Sequence, residues 1–201
     1  MARYIGPRTR KSRRVRQLLD ENKAKYFDRR PYPPGEHGRG RIRESQYRVQ
    51  LLEKQKLRHI YGVLEKQFRR YYKNAARQQG ITGENLLQIL ETRLDNVVYR
   101  AGLARTRPQA RQLVNHAHFR VNGRKVDIPS YQVRQGDLVT IKERSRDLFP
   151  VQQAVDTIDR ASPEWLEVDR SERKVVVSSM PSRAQIDIQI QEQLIVELYS
   201  K

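Results

Sequence analysis

The chain has 201 residues, of which 37% are hydrophobic and 32% charged, with a formal net charge of +18 and a pI near 10.5. That length holds one ordinary domain or two small ones, the apolar share limits the core, and so large a basic excess points to a polyanionic partner. The absence of cysteine excludes disulfides and thiolate metal sites, and no apolar run nears the roughly 18 residues of a membrane-spanning helix.

The charge is uneven. Residues 1–80 hold 23 Lys+Arg against 7 Asp+Glu, residues 93–146 hold 12 against 4, and residues 147–201 hold 6 against 10. A polyanion is therefore expected along the first 80 residues and the middle of the chain, with the acidic end facing solvent or a basic protein. The Arg-rich start reads as a mature basic arm rather than a transit or signal peptide, since the charge continues past any cleavage point.

Residues 1–44 are expected to be extended or irregular. Arg3, Arg8, Arg10, Lys11, Arg13, Arg14 and Arg16 have few apolar companions, and the prolines and glycines between Pro31 and Gly40 forbid a long regular element. Helix is predicted from Ser45, an N-cap residue type. Leu57, Ile60, Tyr61, Leu64, Phe68, Tyr71, Tyr72 and Ala75 keep helical spacing, with Gly62 as a break between two helices. Lys66, Arg70, Lys73 and Arg77 align on another face with almost no acids among them, so they repel one another without a counter-charge. After a turn at Gly80–Gly83, a short helix buries Leu86, Leu87 and Leu90.

Leu94, Val97, Val98 and Ala101 begin another helix that Gly102 ends. Thr106, Pro108 and Gln109 form a start signal in which Gln109 completes a capping box. The helix that follows buries Ala110, Leu113, Val114 and Ala117. It presents Arg107, Arg111 and Asn115 in one outward row and Gln109, Gln112 and His116 in another, and its N-terminus attracts phosphate. Phe119 and Val121 alternate up to Asn122-Gly123, the strongest short hairpin signal. Val126 and Ile128 resume the alternation, and a further strand runs over Leu138–Ile141 after a turn at Gly136-Asp137. Two helices on a small antiparallel sheet, with RNA meeting the outer helix faces and the Arg124-Lys125 side of the hairpin, suit phosphate and shape recognition of folded RNA. Beyond this, a helix is expected over 146–160, then a strand pair at Trp165–Val168 and Lys174–Val177 with Trp165 in the core. An edge strand is expected at Ile186, Ile188 and Ile190, and a terminal helix carrying Leu194, Ile195 and Leu198.

Residues 93–141 resemble the small RNA-binding domain named after the fourth protein of the small ribosomal subunit. The opening Met1–Pro7, Pro34-Gly35-Glu36-His37-Gly38, Glu53–Lys56, Tyr61–Arg69 and the ending Glu192–Lys201 resemble the ribosomal family that carries it, in its bacterial type. The resemblance covers the whole chain in order. It implies a non-enzymatic constituent of the cytoplasmic small ribosomal subunit that binds a helical junction in the 5′ domain of the ribosomal RNA early in assembly. It also implies a border on the messenger entry channel, with Arg39, Arg41 and Arg43 at the matching basic positions, and a surface shared with the fifth small-subunit protein that tunes decoding. That surface is placed on the acidic C-terminal part. The third small-subunit protein is a further expected neighbour, and neither membrane association, a homo-oligomer nor a cofactor is expected. Many family members hold zinc with four N-terminal cysteines; this chain has none, and His37 and His59 are too few and too far apart to replace them. His116 and His118 lack a third ligand.

The expected class is α+β: a helical basic N-terminal region plus a small domain in which a helix pair lies on an antiparallel sheet. The divisions are 1–44 as a basic extended arm, 45–92 as a helical domain, 93–146 as the RNA-binding domain and 147–201 as a C-terminal extension packing back on the body. Charge, helical face and the resemblance nominate Arg3, Arg8, Arg10, Lys11, Arg13, Arg14, Lys54, Lys56, Lys66, Arg69, Arg70 and Lys73 as ribosomal RNA contacts, together with Arg105, Arg107, Arg111, Gln112, Asn115 and Arg124 in the middle domain. An RNA-modifying enzyme that uses the middle domain for targeting would need a catalytic domain and pocket, for which the flanks are too short and no phosphate loop or catalytic constellation stands out. A general basic DNA- or RNA-coating protein would spread its charge more evenly.

Overall fold

A computed structural model describes residues 4–19, 23–40, 43–157 and 161–200, which form two compact units. The first comprises residues 1–83 and 188–201, the second residues 84–187.

The first unit is helical. Its elements are α1 (Arg8–Val15), α2 (Ala24–Asp28), α3 (Gln46–Ile60), α4 (Glu65–Arg77) and, from the far end of the chain, α9 (Glu192–Ser200). Residues 8–15 are thus helical where extended backbone is expected. Val15 and Ser12 are buried as α1 packs on α3, so tertiary contact supplies the order that composition does not advertise. The Pro31–Gly40 stretch holds only a four-residue 3-10 turn, Glu36–Arg39. Ser45 caps α3, its hydroxyl accepting from the Arg48 amide at 3.3 Å. Gly62, at φ +63°, separates α3 from α4 in the left-handed region that a glycine adopts at little cost. Leu57, Tyr61, Phe68, Tyr71 and Ala75 are buried as their spacing predicts, whereas Leu64, the N-cap of α4, is exposed.

Helix α9 closes this unit. Tyr199 stacks on Tyr72 with ring centroids 4.5 Å apart, and Gln50 donates to Glu197 at 2.9 Å. Ile195 is fully buried. The edge strand expected at Ile186–Ile190 is absent. Ile186 and Ile190 are buried, but a 3-10 turn at Arg183–Gln185, capped by Ser182, takes up the backbone before them.

The second unit is α+β. Helices α6 (Leu94–Arg100), α7 (Arg107–Asn115) and α8 (Phe149–Thr157) accompany a five-stranded sheet. Helix α5 (Thr82–Glu91) leads into the unit, with Leu86, Leu87 and Leu90 fully buried. The strands are β1 (Phe119–Val121), β2 (Arg124–Lys125), β3 (Leu138–Ile141), β4 (Leu166–Asp169) and β5 (Lys174–Val177), in the order β2-β1-β3-β5-β4 and antiparallel throughout. The small sheet expected to end near residue 141 is therefore extended by the Trp165–Val177 hairpin, which pairs with β3 through Val139 opposite Val175. One core unites Leu94, Val98, Val114, Phe119, Val139, Val151, Trp165 and Val175.

Local signals act much as their residues predict. Asn122 and Gly123 both have positive φ, as a two-residue hairpin turn requires. The Asn122 amide donates to Asp137 at 2.8 Å while its carbonyl oxygen accepts from the Leu138 amide at 2.9 Å, tying the two turns together. Strand β2 ends at Lys125, leaving Ile128 exposed. Thr106 caps α7, but Gln109 accepts from the Arg105 amide at 2.7 Å and not from that of Thr106, so the reciprocal half of the box is displaced by one residue. Helix α7 ends in a Schellman arrangement with Ala117 at φ +59° and only partly buried, not in the helix core as expected.

Candidate nucleic-acid interface

A row of surface cations in the first unit lies on α4. Phe68, Tyr71 and Ala75 turn inward, which forces Lys66, Arg69, Arg70, Lys73 and Arg77 outward, and all five are exposed. No acid among the described residues forms a salt bridge with any of them. Glu65, in the first turn, is spent elsewhere. It accepts from Lys54 at 2.8 Å, from Arg58 at 2.9 Å and from the Tyr199 hydroxyl at 3.0 Å. Burial would raise the Glu65 carboxyl, but these donors and the neighbouring cations outweigh it and hold the group below its ordinary value. Burial and the adjacent Glu65 carboxylate push the Tyr199 phenol up.

That network takes in Lys54, one of the nominated cations. The residue is 6% exposed, and its ammonium lies in the unit's interior against Glu65 and 5.9 Å from the Tyr199 ring. It therefore staples α3, α4 and α9 rather than facing solvent. Lys56 is half-buried and pairs with Glu53 at 2.6 Å.

On α1, Arg10 and Arg14 are exposed, while Arg8, Lys11 and Arg13 are half-buried. Lys11 sits 3.3 Å above the Tyr4 ring. Arg13 donates to the Tyr32 carbonyl at 3.0 Å, and Arg39 donates to the Tyr32 hydroxyl at the same distance. Both guanidinium groups lie over the Tyr32 ring, at 5.1 and 4.7 Å, so this tyrosine fixes two of the nominated cations. Arg43 is exposed; Arg3 and Arg41 lie outside the described residues.

In the second unit, Arg105, Gln112 and Arg124 are exposed, and Asn115 is half-buried. Arg107 and Arg111, expected to point outward, are turned toward α6. Arg107 donates to Asn96 at 2.9 Å and stacks 4.3 Å over the Tyr99 ring. Arg111 lies 3.8 Å from Asp95, whose carboxylate is gripped in two-pronged fashion by Arg93 at 3.0 and 2.6 Å. Arg100 and Asn96 in turn converge on buried Glu91 at 2.9 and 2.7 Å. Helical periodicity places Arg107 and Arg111 on one face but says nothing of the partners that α6 holds opposite them, Asn96 and Tyr99 for Arg107 and Asp95 for Arg111.

Two further surface cations complete the hairpin: Lys125, which the sequence reading turns toward RNA with Arg124, and Arg120, which it does not name. Arg120 and Lys125 are exposed register partners beside Arg124, and Lys125 lies 3.7 Å from the exposed carboxylate of Asp127. Like charges directly opposite each other destabilise a strand pair unless an anion intervenes. The alternation of buried Phe119 and Val121 carries the signal for Arg120.

His118 bonds Ser145 at 2.9 Å, and burial chiefly, with His116 and Lys142 nearby, lowers its basicity. No three His, Cys, Asp or Glu side chains cluster among the described residues. With no cysteine in the chain, a thiolate metal site cannot form. No helix among the described residues is long and apolar enough to cross a membrane.

An α+β fold in which a basic helical unit accompanies a helix pair on an antiparallel sheet, with exposed cations on both, has the build of a polyanion-binding protein. Residues 3–91 match the family described as "Ribosomal protein S4/S9 N-terminal domain", and residues 92–139 match the "S4 domain". Proteins named small ribosomal subunit protein uS4 from Nocardia farcinica, Rhodococcus erythropolis and Mycolicibacterium smegmatis are 62%, 63% and 61% identical to the chain, with all of each chain covered. The chain belongs to the uS4 family of ribosomal proteins, whose members are structural components rather than enzymes.

Proposed function

We propose that this protein binds the 5′ domain of small-subunit ribosomal RNA and organises it during assembly. The exposed row Lys66, Arg69, Arg70, Lys73 and Arg77 on α4 carries the reading, with the Arg120, Arg124 and Lys125 hairpin as a second basic face. Arg10, Arg14, Arg105 and Gln112 add donors, and the partly buried Arg8, Lys11, Arg13, Lys56 and Asn115 remain within reach of phosphate at the same surfaces. Arg107 and Arg111 contribute by holding the α6–α7 pair. Lys54, buried against Glu65, contributes by joining α3 to α4. The role places the protein in the cytoplasm.

Arg39, Arg41 and Arg43 border the messenger path, Arg39 being held by Tyr32. The acidic C-terminal part suits a basic neighbour such as the fifth small-subunit protein, and the third lies near the same path. The test is binding of purified protein to the 5′ domain RNA with duplex DNA as competitor at fixed salt. A preference of at least about a hundredfold, or about 2.7 kcal/mol, is expected; equal affinity for both would reduce the binding to generic charge and overturn the reading.

A further inference from the structure

Helix α3 has two working faces. Gln50, Lys54 and Leu57 are buried in the unit's interior. Arg48, Leu51, Leu52, Gln55, Arg58 and His59, at i, i+3, i+4, i+7, i+10 and i+11, line one side of a cleft of about 910 Å³. Helix α1, through Arg10, Lys11 and Arg14, and the Pro33-Pro34 corner face it, and Tyr4 and the Gly62–Leu64 link complete the lining. That volume is within the range of small-molecule sites. We propose that the cleft binds one nucleoside phosphate, its guanidinium groups taking the phosphate and its apolar wall the base. This deepens the ribosomal RNA reading, on which it rests for one source of the ligand.

Three features support the site. First, Arg10, Lys11, Arg14, Arg48 and Arg58 are gathered around one cavity with no carboxylate in its lining. The nearest acid engagement, Arg58 with Glu65 through Nη1, leaves the rest of that guanidinium uncommitted. Second, Arg48 and Arg58 line the cleft with their Nε groups closed off from solvent and without an acceptor among the described residues. A buried donor left unmade is costly, so turning either fork onto a bound anion is favoured, and phosphate oxygens are the acceptors that guanidinium forks fit best. Third, Leu51, Leu52, Pro33 and Pro34 supply apolar surface beside those donors. Inorganic phosphate has no use for such a wall, whereas a base or ribose does. The electrostatics agree. Burial first, then Lys11, Arg58, Arg14 and Lys54, push His59 down to about 4, and burial with Arg58 and Arg8 pushes Lys11 down to about 8. A bound anion would relieve both.

The His59 ring is therefore the probe. Its NMR titration is followed in the full-length protein at fixed salt with AMP, inorganic phosphate or adenosine. AMP is expected to shift the ring signals saturably and to move the titration midpoint upward, with phosphate and adenosine each binding at least about tenfold more weakly. Arg48→Gln should weaken AMP by a similar factor, as should Arg14→Gln, whose exposed position leaves folding alone. No saturable change with AMP, or equal binding of phosphate and AMP, overturns the proposal. The source is read from the 5′ domain RNA. If excess AMP and Arg14→Gln both weaken RNA binding, the natural occupant is a nucleotide of the RNA. If AMP binds free protein and RNA complex alike, it is a free nucleotide. Loss of the AMP site with the RNA preference over DNA intact sinks this inference alone; loss of that preference sinks the ribosomal RNA reading.

Discussion

Lys54 and Lys66 carry the same side chain, yet one is an interior staple and the other a surface charge. The difference is what lies across from each: Lys54 meets Glu65 and Tyr199, and Lys66 meets solvent. Asp95 shows the same principle in the second unit, where one carboxylate, 5% exposed, answers Arg93 and Arg111. Removing one partner of a buried ion pair strands the other, so Asp95→Ala is expected to cost about 3–5 kcal/mol, read from urea unfolding followed at Trp165. His59 gives a pH effect of definite sign. Its folded value, about 4, lies below the ordinary 6.5, so between the two the unfolded chain binds more protons. Its contribution to stability is complete above pH 6.5, falls as pH drops toward 4 and is level below. Urea midpoints at about pH 5 and about pH 7 should differ less in His59→Gln than in the parent chain. Glu65 acts lower. Its value is held down, so its contribution is present above the ordinary carboxylate range and is lost as pH falls through the folded value.

At the scale of elements, α4 is built from two stripes with opposite demands. The aromatic stripe wants burial, and the cationic stripe repels itself at i, i+4 spacing by a few tenths of a kcal/mol per pair. Lys66→Gln, Arg70→Gln and Lys73→Gln combined should leave the thermal midpoint unchanged or slightly raised while weakening RNA binding. The slope of log affinity against log salt should fall by roughly 0.7–0.9 for each phosphate that is no longer neutralised. A triple variant that kept both the affinity and the slope would remove α4 from the interface. The hairpin β1–β2 behaves differently: Arg120 and Lys125 face each other in register, so its charge is concentrated at one spot rather than along a line.

At the scale of the whole chain, the first unit is discontinuous. Residues 188–201 return to it after the second unit has been built. Helix α9 supplies Ile195, the Tyr199 ring and the carboxylate of Glu197 to α3 and α4. Truncation after residue 187 should therefore destabilise residues 1–83 selectively. Helical circular dichroism would then show an early loss of structure, while emission from Trp165, the single tryptophan of the chain and part of the second unit's core, keeps its own later transition. Simultaneous loss of both signals would mean that the two units unfold as one.

Most of what is local was legible in the residues. Ser45 and Thr106 as caps, Gly62 as a break, Asn122-Gly123 as a tight turn and the stripe Leu57–Ala75 act over a few residues, where short-range sterics and periodicity decide. The cationic row of α4 was legible for the same reason, since one buried stripe leaves the rest of a helix outside. Three things waited on tertiary structure, because each depends on residues distant in sequence. The Trp165–Val177 hairpin joins the middle sheet only through the pairing of β5 with β3, Val175 opposite Val139. Arg8–Val15 is helical because α3 gives Val15 something to bury against. And whether a cation faces a ligand or staples the fold depends on acids that periodicity does not see: Glu65 for Lys54, and Asp95 for Arg111. Sequence by itself determined the family, the fold class and the sign of the charge; the partners of each individual charge were decided by packing, because a buried ion pair is made across elements and not along one.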